Sequence, residues 1–145
     1  MKVVADTGPI VAAANRRDEA HQLAAALVSE LGRNLLLPLT VLVEADQLLR
    51  ARIGPAAARA LLEAAAVGEH EVSYLSPNLL RRAVEIDQSN AALDLGFVDA
   101  SVMAVAERDN LPILTFDFGD FRAARPRRGY WRLVVDEKRY RDSTQ

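Results

Sequence analysis

The chain has 145 residues, half of them apolar and about a quarter charged, a composition typical of one folded domain with a sizeable core rather than of a disordered chain. It has no cysteine and two histidines, which excludes disulfides, zinc-thiolate sites, iron-sulfur clusters, thiol catalysis and a multi-histidine metal site. The net charge of −2 is unevenly spread, because residues 1–120 carry 10 basic and 17 acidic side chains and residues 121–145 carry 8 and 3, so a polyanionic partner is not excluded.

The first half of the chain alternates predicted strands and helices. A β-branched strand at residues 2–5 stops at Asp6-Thr7-Gly8-Pro9, where a capping residue, a turn residue and a proline predict a helix that begins near Pro9. Thr40 is predicted to cap a helix that ends at Arg52. Apolar runs with glycine or proline stops predict the other elements: a helix at residues 19–31, a strand at 35–37, an alanine-rich helix at 55–67 and a strand at 72–75.

The second half continues this alternation. The predicted elements are a helix from Ser76-Pro77 to about residue 89, a helix at residues 98–109, and strands at 112–115 and 131–135. We expect residues 136–145 to fray. Short strands that alternate with helices predict an α/β fold in which one domain, residues 1–145, has a short, mostly parallel sheet with helices on both faces.

The apolar segments predict neither export nor membrane insertion. Asp6 and Pro9 interrupt the apolar start of the chain, which a secretory signal would leave uninterrupted. No segment approaches the roughly eighteen consecutive apolar residues of a membrane span. Together with the absence of cysteine, these features lead us to expect a cytoplasmic protein.

Two acidic residues directly follow predicted strands. Asp6 follows the first strand, and Asp117 follows the strand at residues 112–115. Ligands bind at the carboxyl ends of the strands in an open parallel sheet, so both acids are predicted to lie at one functional edge. Taken alone, Asp6 is equally well explained as the cap of the helix near Pro9.

Two further acids, Glu44 and Asp99, lie on apolar helices. Val41 and Leu48 share the helical face of Glu44, so its carboxylate is expected to be at least partly buried and to need a cation, hydrogen bonds or a catalytic role. A surface glutamate beside an interface is the alternative. Asp99 lies near the start of the helix at residues 98–109, where the helix dipole favours an ionised carboxylate, and a simple helix cap is again the alternative.

Four carboxylates at one edge would repel one another strongly. At a separation of about 5 Å, each ionised pair costs about 3 kcal/mol at an effective dielectric constant near 20. Such a cluster therefore requires a divalent cation or bound protons. Oxygen ligands without histidine or cysteine select hard ions, so the sequence predicts a Mg²⁺ or Mn²⁺ site.

The acids and their flanking residues resemble the PIN-domain family, specifically its VapC-type toxin ribonucleases. Each motif is short, but their order and their separations of 38, 55 and 18 residues are more specific, and the resemblance spans nearly the whole chain. The segments that carry it are Val3-Val4-Ala5-Asp6-Thr7-Gly8, Val43-Glu44-Ala45, Val98-Asp99-Ala100-Ser101-Val102 and Ile113-Leu114-Thr115-Phe116-Asp117-Phe118-Gly119-Asp120-Phe121.

The resemblance implies a PIN-like three-layer fold, RNA hydrolysis with magnesium or manganese, a small antitoxin as partner and pairing of the protein with itself. It also implies roles for individual residues, with Thr7 and Thr115 as supporting hydroxyls and four metal-site acids: Asp6, Glu44, Asp99 and Asp117. Members of the family carry acids variably across residues 115–121, so Asp120 could share or take the role of Asp117.

The basic C-terminal segment is a second candidate for substrate binding. Its arginines alternate with Phe121, Tyr130 and Trp131, a pattern that favours contact with a phosphate backbone and with stacked bases, although a solvated loop explains it as well. The arginines in this segment are Arg122, Arg125, Arg127, Arg128 and Arg132, of which Arg125, Arg127 and Arg128 are the predicted RNA contacts.

Several other functions share parts of this pattern. Receiver domains also place aspartates at a parallel sheet edge, but they need paired acids near the first strand and a lysine near the last, and the only lysines here are Lys2 and Lys138. A dehalogenase-like phosphatase would need an aspartate where Gly8 stands. A non-catalytic interaction module would be suggested by a degraded acid set, yet all four acids are present. A housekeeping PIN-type nuclease remains the main alternative to a toxin.

Overall fold

Four parallel strands form the central sheet of the computed structural model, which describes residues 1–145. The strands are β1 (Val3–Ala5), β2 (Leu35–Pro38), β3 (Glu71–Ser73) and β4 (Ile113–Leu114), in the spatial order β3-β2-β1-β4. Val4 of β1 is paired with Leu36 on one side and with Ile113 on the other. The α/β fold with a parallel sheet is thus confirmed.

Eight helices cover this sheet. They are α1 (Thr7–Ala14), α2 (His21–Leu31), α3 (Leu39–Arg52), α4 (Pro55–Ala66), α5 (Pro77–Ser89), α6 (Gly96–Asp109), α7 (Phe118–Ala123) and α8 (Glu137–Thr144). Since crossovers between parallel strands are right-handed as a rule, the strand order assigns α1 to α4 to one face and α5 and α6 to the other, and α1 packs with α2 and α3 while α5 packs with α6. Every residue of β1, β2 and β4 is buried, as expected for parallel strands with helices on both faces.

The chain changes direction across the sheet at β1. From β1 it moves outward through β2 to β3, and it then returns to add β4 on the other side of β1. The carboxyl ends of β1 and β4 therefore flank a topological switch point, which is where open α/β sheets form their ligand-binding crevice. Asp6 directly follows β1, and Thr115 directly follows β4.

The structure differs from the sequence prediction near the C-terminus. The strand predicted at residues 131–135 is wrong, because the only pairing is a single bridge between Ile113 and Leu133. With only two residues in β4, little unpaired edge is available for a fifth strand. The expected frayed tail forms α8 instead, since Asp136 caps it by accepting a hydrogen bond from the Arg139 backbone N–H at 2.8 Å.

Thr40 is not the cap that its sequence position predicts. Helix α3 begins one residue earlier, at Leu39, directly after Pro38. The Thr40 hydroxyl instead forms a hydrogen bond with the hydroxyl of Ser101, which itself donates to the carbonyl oxygen of Val98 at 2.7 Å. This contact ties the start of α3 to the start of α6. None of the eight helices has the length and apolar character that a membrane span requires.

Candidate metal centre

Asp6 is a buried carboxylate with both oxygens fixed. Its side chain is 6% exposed, Oδ1 accepts a hydrogen bond from the Thr7 backbone N–H at 2.8 Å, and Oδ2 accepts one from the Thr115 hydroxyl at 2.7 Å. Asp6 is also the N-cap of α1, so the capping interpretation and the site interpretation describe the same residue. Burial raises the pKa of Asp6, as do the nearby Asp117 and Glu44, while the hydrogen bonds from Thr115 and Thr7 oppose this change.

Thr115 connects the acids that follow β1 and β4. While its hydroxyl donates to Asp6, its oxygen accepts a hydrogen bond from the Asp117 backbone N–H at 3.0 Å. Asp117 in turn caps the short helix α7, since its Oδ1 accepts a hydrogen bond from the Asp120 backbone N–H at 3.1 Å. One buried side chain therefore fixes the positions of two strand-end acids relative to each other.

Four predicted acids line one pocket at the switch point. Asp6, Glu44, Asp99 and Asp117 line it together with Thr7. Glu44 is half-buried on α3, as its apolar helical face predicts, and Asp99 lies in the first turn of α6 rather than at its cap. The structure thus brings together in one pocket the four acids that lie far apart in the sequence.

Asp120 joins Asp99 and Asp117 in a tighter group. One carboxylate oxygen from each of the three lies within 4.8 Å of the corresponding oxygen of the other two. Burial and the neighbouring Asp117 raise the pKa of Asp120. Asp120 and Asp117 therefore both lie in the cluster.

The pKa of Asp99 is also raised in this cluster. Burial raises its pKa to about 8, with further contributions from the charges of Asp6, Asp117, Asp120 and Glu44. None of these five acids forms an ion pair with a lysine or arginine. The five carboxyl groups therefore lie together with no basic side chain within 4.0 Å of them.

These residues fit a hard divalent cation. The donor set consists only of oxygen atoms, and the three grouped carboxylates are close enough to share one or two ions with metal–oxygen distances of about 2 Å. The hydroxyl of Thr7, which is 3% exposed, has no hydrogen-bond partner within the chain although Thr7 lines the pocket. Buried polar atoms are normally paired, so this orphan hydroxyl indicates a missing ligand, water or ion.

The predicted RNA-contact arginines lie away from this pocket. Arg127 is held near the C-terminal end of α6, where its backbone N–H donates to Glu107 at 3.0 Å and its guanidinium pairs with Glu85 at 3.6 Å. Glu107 is eight residues after Asp99, about 12 Å along the helix. Arg128 lines a cavity beside Glu107, and the guanidinium of Arg125 lies 4.7 Å from the centre of the Tyr130 ring.

One residue of the pocket was missed by the sequence analysis. Arg52, the last residue of α3, lines the pocket together with Glu44 and Leu48. The signal was present in the sequence, because residues 44, 48 and 52 are spaced by four and share one helical face. Arg52 is eight residues from Glu44, too far for a direct pair within the helix, so the spacing alone does not connect the two side chains.

Comparisons with known proteins agree with this architecture. A family model described as the PIN domain matches residues 3–125. The chain is similar to the crystal structure of VapC20 from Mycobacterium tuberculosis, described as a sarcin-ricin loop cleaving toxin, with 28% identity and a TM-score of 0.77 over 85% of this chain and 95% of that one. No match was found among curated protein sequences.

Two more distant structures show the same fold. A toxin-antitoxin complex from Klebsiella pneumoniae has 21% identity and a TM-score of 0.61 over 83% of this chain and 90% of that one. DNA-bound VapBC from Salmonella typhimurium has 15% identity and a TM-score of 0.68 over 92% and 96%. With the family model covering most of the chain and a VapC toxin aligned along its length, the resemblance seen in four short motifs is confirmed, and the chain belongs to the PIN-domain family.

Proposed function

We propose that this protein is a ribonuclease that hydrolyses RNA phosphodiester bonds with Mg²⁺ or Mn²⁺, and that it is the toxin of a VapBC-type toxin-antitoxin pair. The observation that carries the proposal is the group of five acids at the switch point of a PIN domain, none of them neutralised by a basic side chain. The similar VapC20 is described as a toxin that cleaves the sarcin-ricin loop, an RNA, which supports the same class of substrate.

The acids divide by position into ligands and a base. Asp6, Asp99, Asp117 and Asp120 would hold the cation, directly or through water, and Thr115 fixes the orientation of Asp6 and Asp117. When bound, the cation lowers the pKa of a water molecule and stabilises negative charge on the phosphate. Glu44 makes no hydrogen bond within the chain, so its carboxylate is free to accept a proton from the attacking water.

The orphan hydroxyl of Thr7 completes this arrangement. Because Thr7 lines the pocket next to Asp6, its hydroxyl is placed to donate to an oxygen of the substrate phosphate or to a water in the site. Such a hydrogen bond would satisfy the one buried side-chain atom that the fold leaves unpaired.

We propose that three arginines contact the parts of the RNA that lie outside the pocket, namely Arg125, Arg127 and Arg128. Arg128 forms no ion pair, and Arg125 presents its guanidinium over Tyr130, so both can contact a phosphate backbone. Arg127 would first have to leave Glu85 and Glu107. These residues would therefore strengthen RNA binding and take no part in the cleavage step.

We propose two protein partners, a small antitoxin and a second copy of this chain. Similar folds occur in structures described as VapBC and toxin-antitoxin complexes. A cavity beside Glu44 is lined mainly by apolar residues, and Tyr74, Val43 and Phe97 in its wall are 69%, 50% and 45% exposed, which is typical of a protein-binding surface. Co-purification with a short, separately encoded chain would support the toxin role, and a consistently solitary protein would favour a housekeeping nuclease.

The catalytic proposal is tested by substrate class and metal requirement. Purified protein is incubated with single-stranded RNA and with DNA of the same sequence, with Mg²⁺, with Mn²⁺ or with EDTA. We expect cleavage of the RNA with either metal and none with EDTA. Cleavage that continues in EDTA, or RNA that stays intact with both metals, would contradict the proposal.

A further inference from the structure

We infer that Arg52 is a substrate-positioning residue, which binds a phosphate next to the one that is cleaved. The inference rests on the proposed ribonuclease function and concerns how the same pocket holds its polyanionic substrate. Arg52 lines the pocket that contains Asp6, Glu44, Asp99 and Asp117, and no other lysine or arginine does so.

The guanidinium of Arg52 is free to bind a ligand. Its side chain is exposed, and it takes part in no ion pair or hydrogen bond. Its neighbour Arg50, by contrast, is bound to Asp46 at 3.0 Å on the other side of the same helix. Ten of the sixteen arginines form no ion pair, so Arg52 is distinguished by its position at the pocket rather than by being unpaired.

The electrostatics of the pocket require such a charge. Five acids surround the site, so one divalent cation would leave much of their negative charge uncompensated. An RNA strand that enters would be repelled at every phosphate except the one at the cation. Arg52 offsets this repulsion and offers a planar guanidinium that can hold a phosphate with two hydrogen bonds.

The geometry assigns Arg52 to a neighbouring phosphate rather than to the reacting one. Glu44, Leu48 and Arg52 follow one another on a single face of α3, and Arg52 is about 12 Å along the helix from Glu44. The arginine forms no contact within 4.0 Å with any acid of the cluster. A strand bound at the acids therefore reaches Arg52 with an adjacent nucleotide.

A structural role is the competing explanation. Arginine at the last position of a helix interacts favourably with the helix dipole wherever its side chain points. Arg50 lies in the same last turn and has the same charge, but it faces away from the pocket. Arg50→Gln is therefore a matched control that removes a similar dipole interaction without changing the pocket.

The test compares Arg52→Gln, Arg52→Lys and Arg50→Gln with wild type. Binding of a short fluorescein-labelled single-stranded RNA of mixed sequence is measured across a NaCl series, and KM and kcat are measured with a quenched fluorescent RNA and Mg²⁺. For Arg52→Gln we expect about tenfold weaker binding and a higher KM, kcat within about twofold, and a salt slope reduced by about 0.7. Arg52→Lys should keep the salt slope, and Arg50→Gln should behave as wild type.

Two outcomes would overturn the inference. In one, Arg52→Gln binds RNA as tightly as Arg50→Gln does and with the same salt slope. In the other, Arg52→Gln lowers kcat and leaves KM and RNA binding unchanged, which would place Arg52 at the reacting phosphate rather than at a neighbouring one. RNA binding is measured without turnover, so a wild type that binds but does not cleave RNA would refute the proposed function and leave the test of Arg52 intact.

Discussion

Thr115 and Thr7 show how two buried hydroxyls in one site serve different purposes. The hydroxyl of Thr115 is saturated within the chain, since it donates to Asp6 and accepts from the Asp117 backbone. The hydroxyl of Thr7 is buried and unpaired. The paired hydroxyl of Thr115 is typical of a residue that stabilises the site. The unpaired hydroxyl of Thr7 is typical of a residue that binds a ligand.

Replacing each threonine with valine should therefore give opposite results. Thr115→Val leaves an oxygen of Asp6 and the Asp117 N–H without a partner, so we expect the free energy of unfolding to fall by about 1–3 kcal/mol. Thr7→Val removes no hydrogen bond of the fold, so stability should be unchanged or slightly higher while RNA cleavage falls. Urea unfolding and cleavage rates measure both effects. Equal loss of stability in the two variants would show that Thr7 also has a structural partner.

The raised pKa of Asp99 makes the stability of the metal-free protein depend on pH. Since its pKa is about 8 in the folded chain and about 3.8 when unfolded, the folded state binds this proton more tightly. This contribution is complete below about pH 4, declines as the pH rises, and is gone above about pH 8. The side-chain amide of Asp99→Asn stays neutral at every pH and avoids the buried, repelled charge that wild type acquires, so in EDTA we expect the variant to exceed wild type by about 1–2 kcal/mol near pH 8, allowing for solvent screening.

Urea unfolding in EDTA at several pH values checks this sign. Asp109→Asn is the control on the same helix, because a hydrogen bond from Arg108 lowers the pKa of Asp109 and its replacement should not stabilise the protein near pH 8. A wild type whose stability in EDTA is independent of pH would contradict the assignment of a protonated Asp99.

At the scale of elements, the sequence predicted the four strands of the sheet better than it predicted the segment at residues 131–135. The apolar runs that form β1, β2 and β4 are fully buried. An uninterrupted apolar run is typical of a strand that is covered on both faces. The segment at residues 131–135 has the same pattern but makes one bridge, because pairing also depends on a partner strand that is long enough. That partner is not visible in the local sequence.

Helix α8 illustrates the opposite error. Its polar residues favour a frayed tail, yet Tyr140 packs with its ring centre 4.7 Å from that of Phe116 and 5.6 Å from that of Phe118. These phenylalanines flank Asp117, so α8 supports the segment that carries two site acids. The Asp136 cap is a local signal for this helix, whereas the aromatic contacts that hold it against the Phe116–Phe118 segment are long-range and could not be indicated by local pattern.

Replacing Tyr140 should consequently disturb more than the tail. We expect Tyr140→Ala to lower the free energy of unfolding by about 1–3 kcal/mol and to reduce cleavage, because the Phe116–Phe118 segment loses its cover. Lys138→Ala, which removes only an exposed ion pair of the same helix with Asp142, should change stability by less than about 1 kcal/mol. Thermal melting of both variants compares them. If the tail frays in the wild type, Tyr140→Ala and Lys138→Ala should both lower stability by the same small amount, which would contradict this prediction.

At the scale of the whole molecule, folding pairs several of the basic residues that are clustered near the C-terminus and brings together acids that are far apart in the sequence. The basic C-terminal segment is partly neutralised, because Arg122 and Arg141 both pair with Glu137, and Arg127 pairs with Glu85 and Glu107. The acids, from four separate segments, converge without basic partners. Sequence could indicate the acids because strand ends and helix faces determine where they point. It could not indicate the arginines, whose partners depend on the packing of distant helices.

We propose above all that these acids form the metal-dependent active centre of a ribonuclease. The measurement that tests this proposal most directly is the rate of RNA cleavage with Mn²⁺ by wild type, Asp99→Asn and Asp109→Asn, with all three proteins checked for folding by circular dichroism. The two substitutions make the same chemical change at opposite ends of α6. We expect Asp99→Asn to lose at least about a hundredfold in rate while Asp109→Asn stays near wild type. Cleavage by Asp99→Asn at the wild-type rate would contradict the claim.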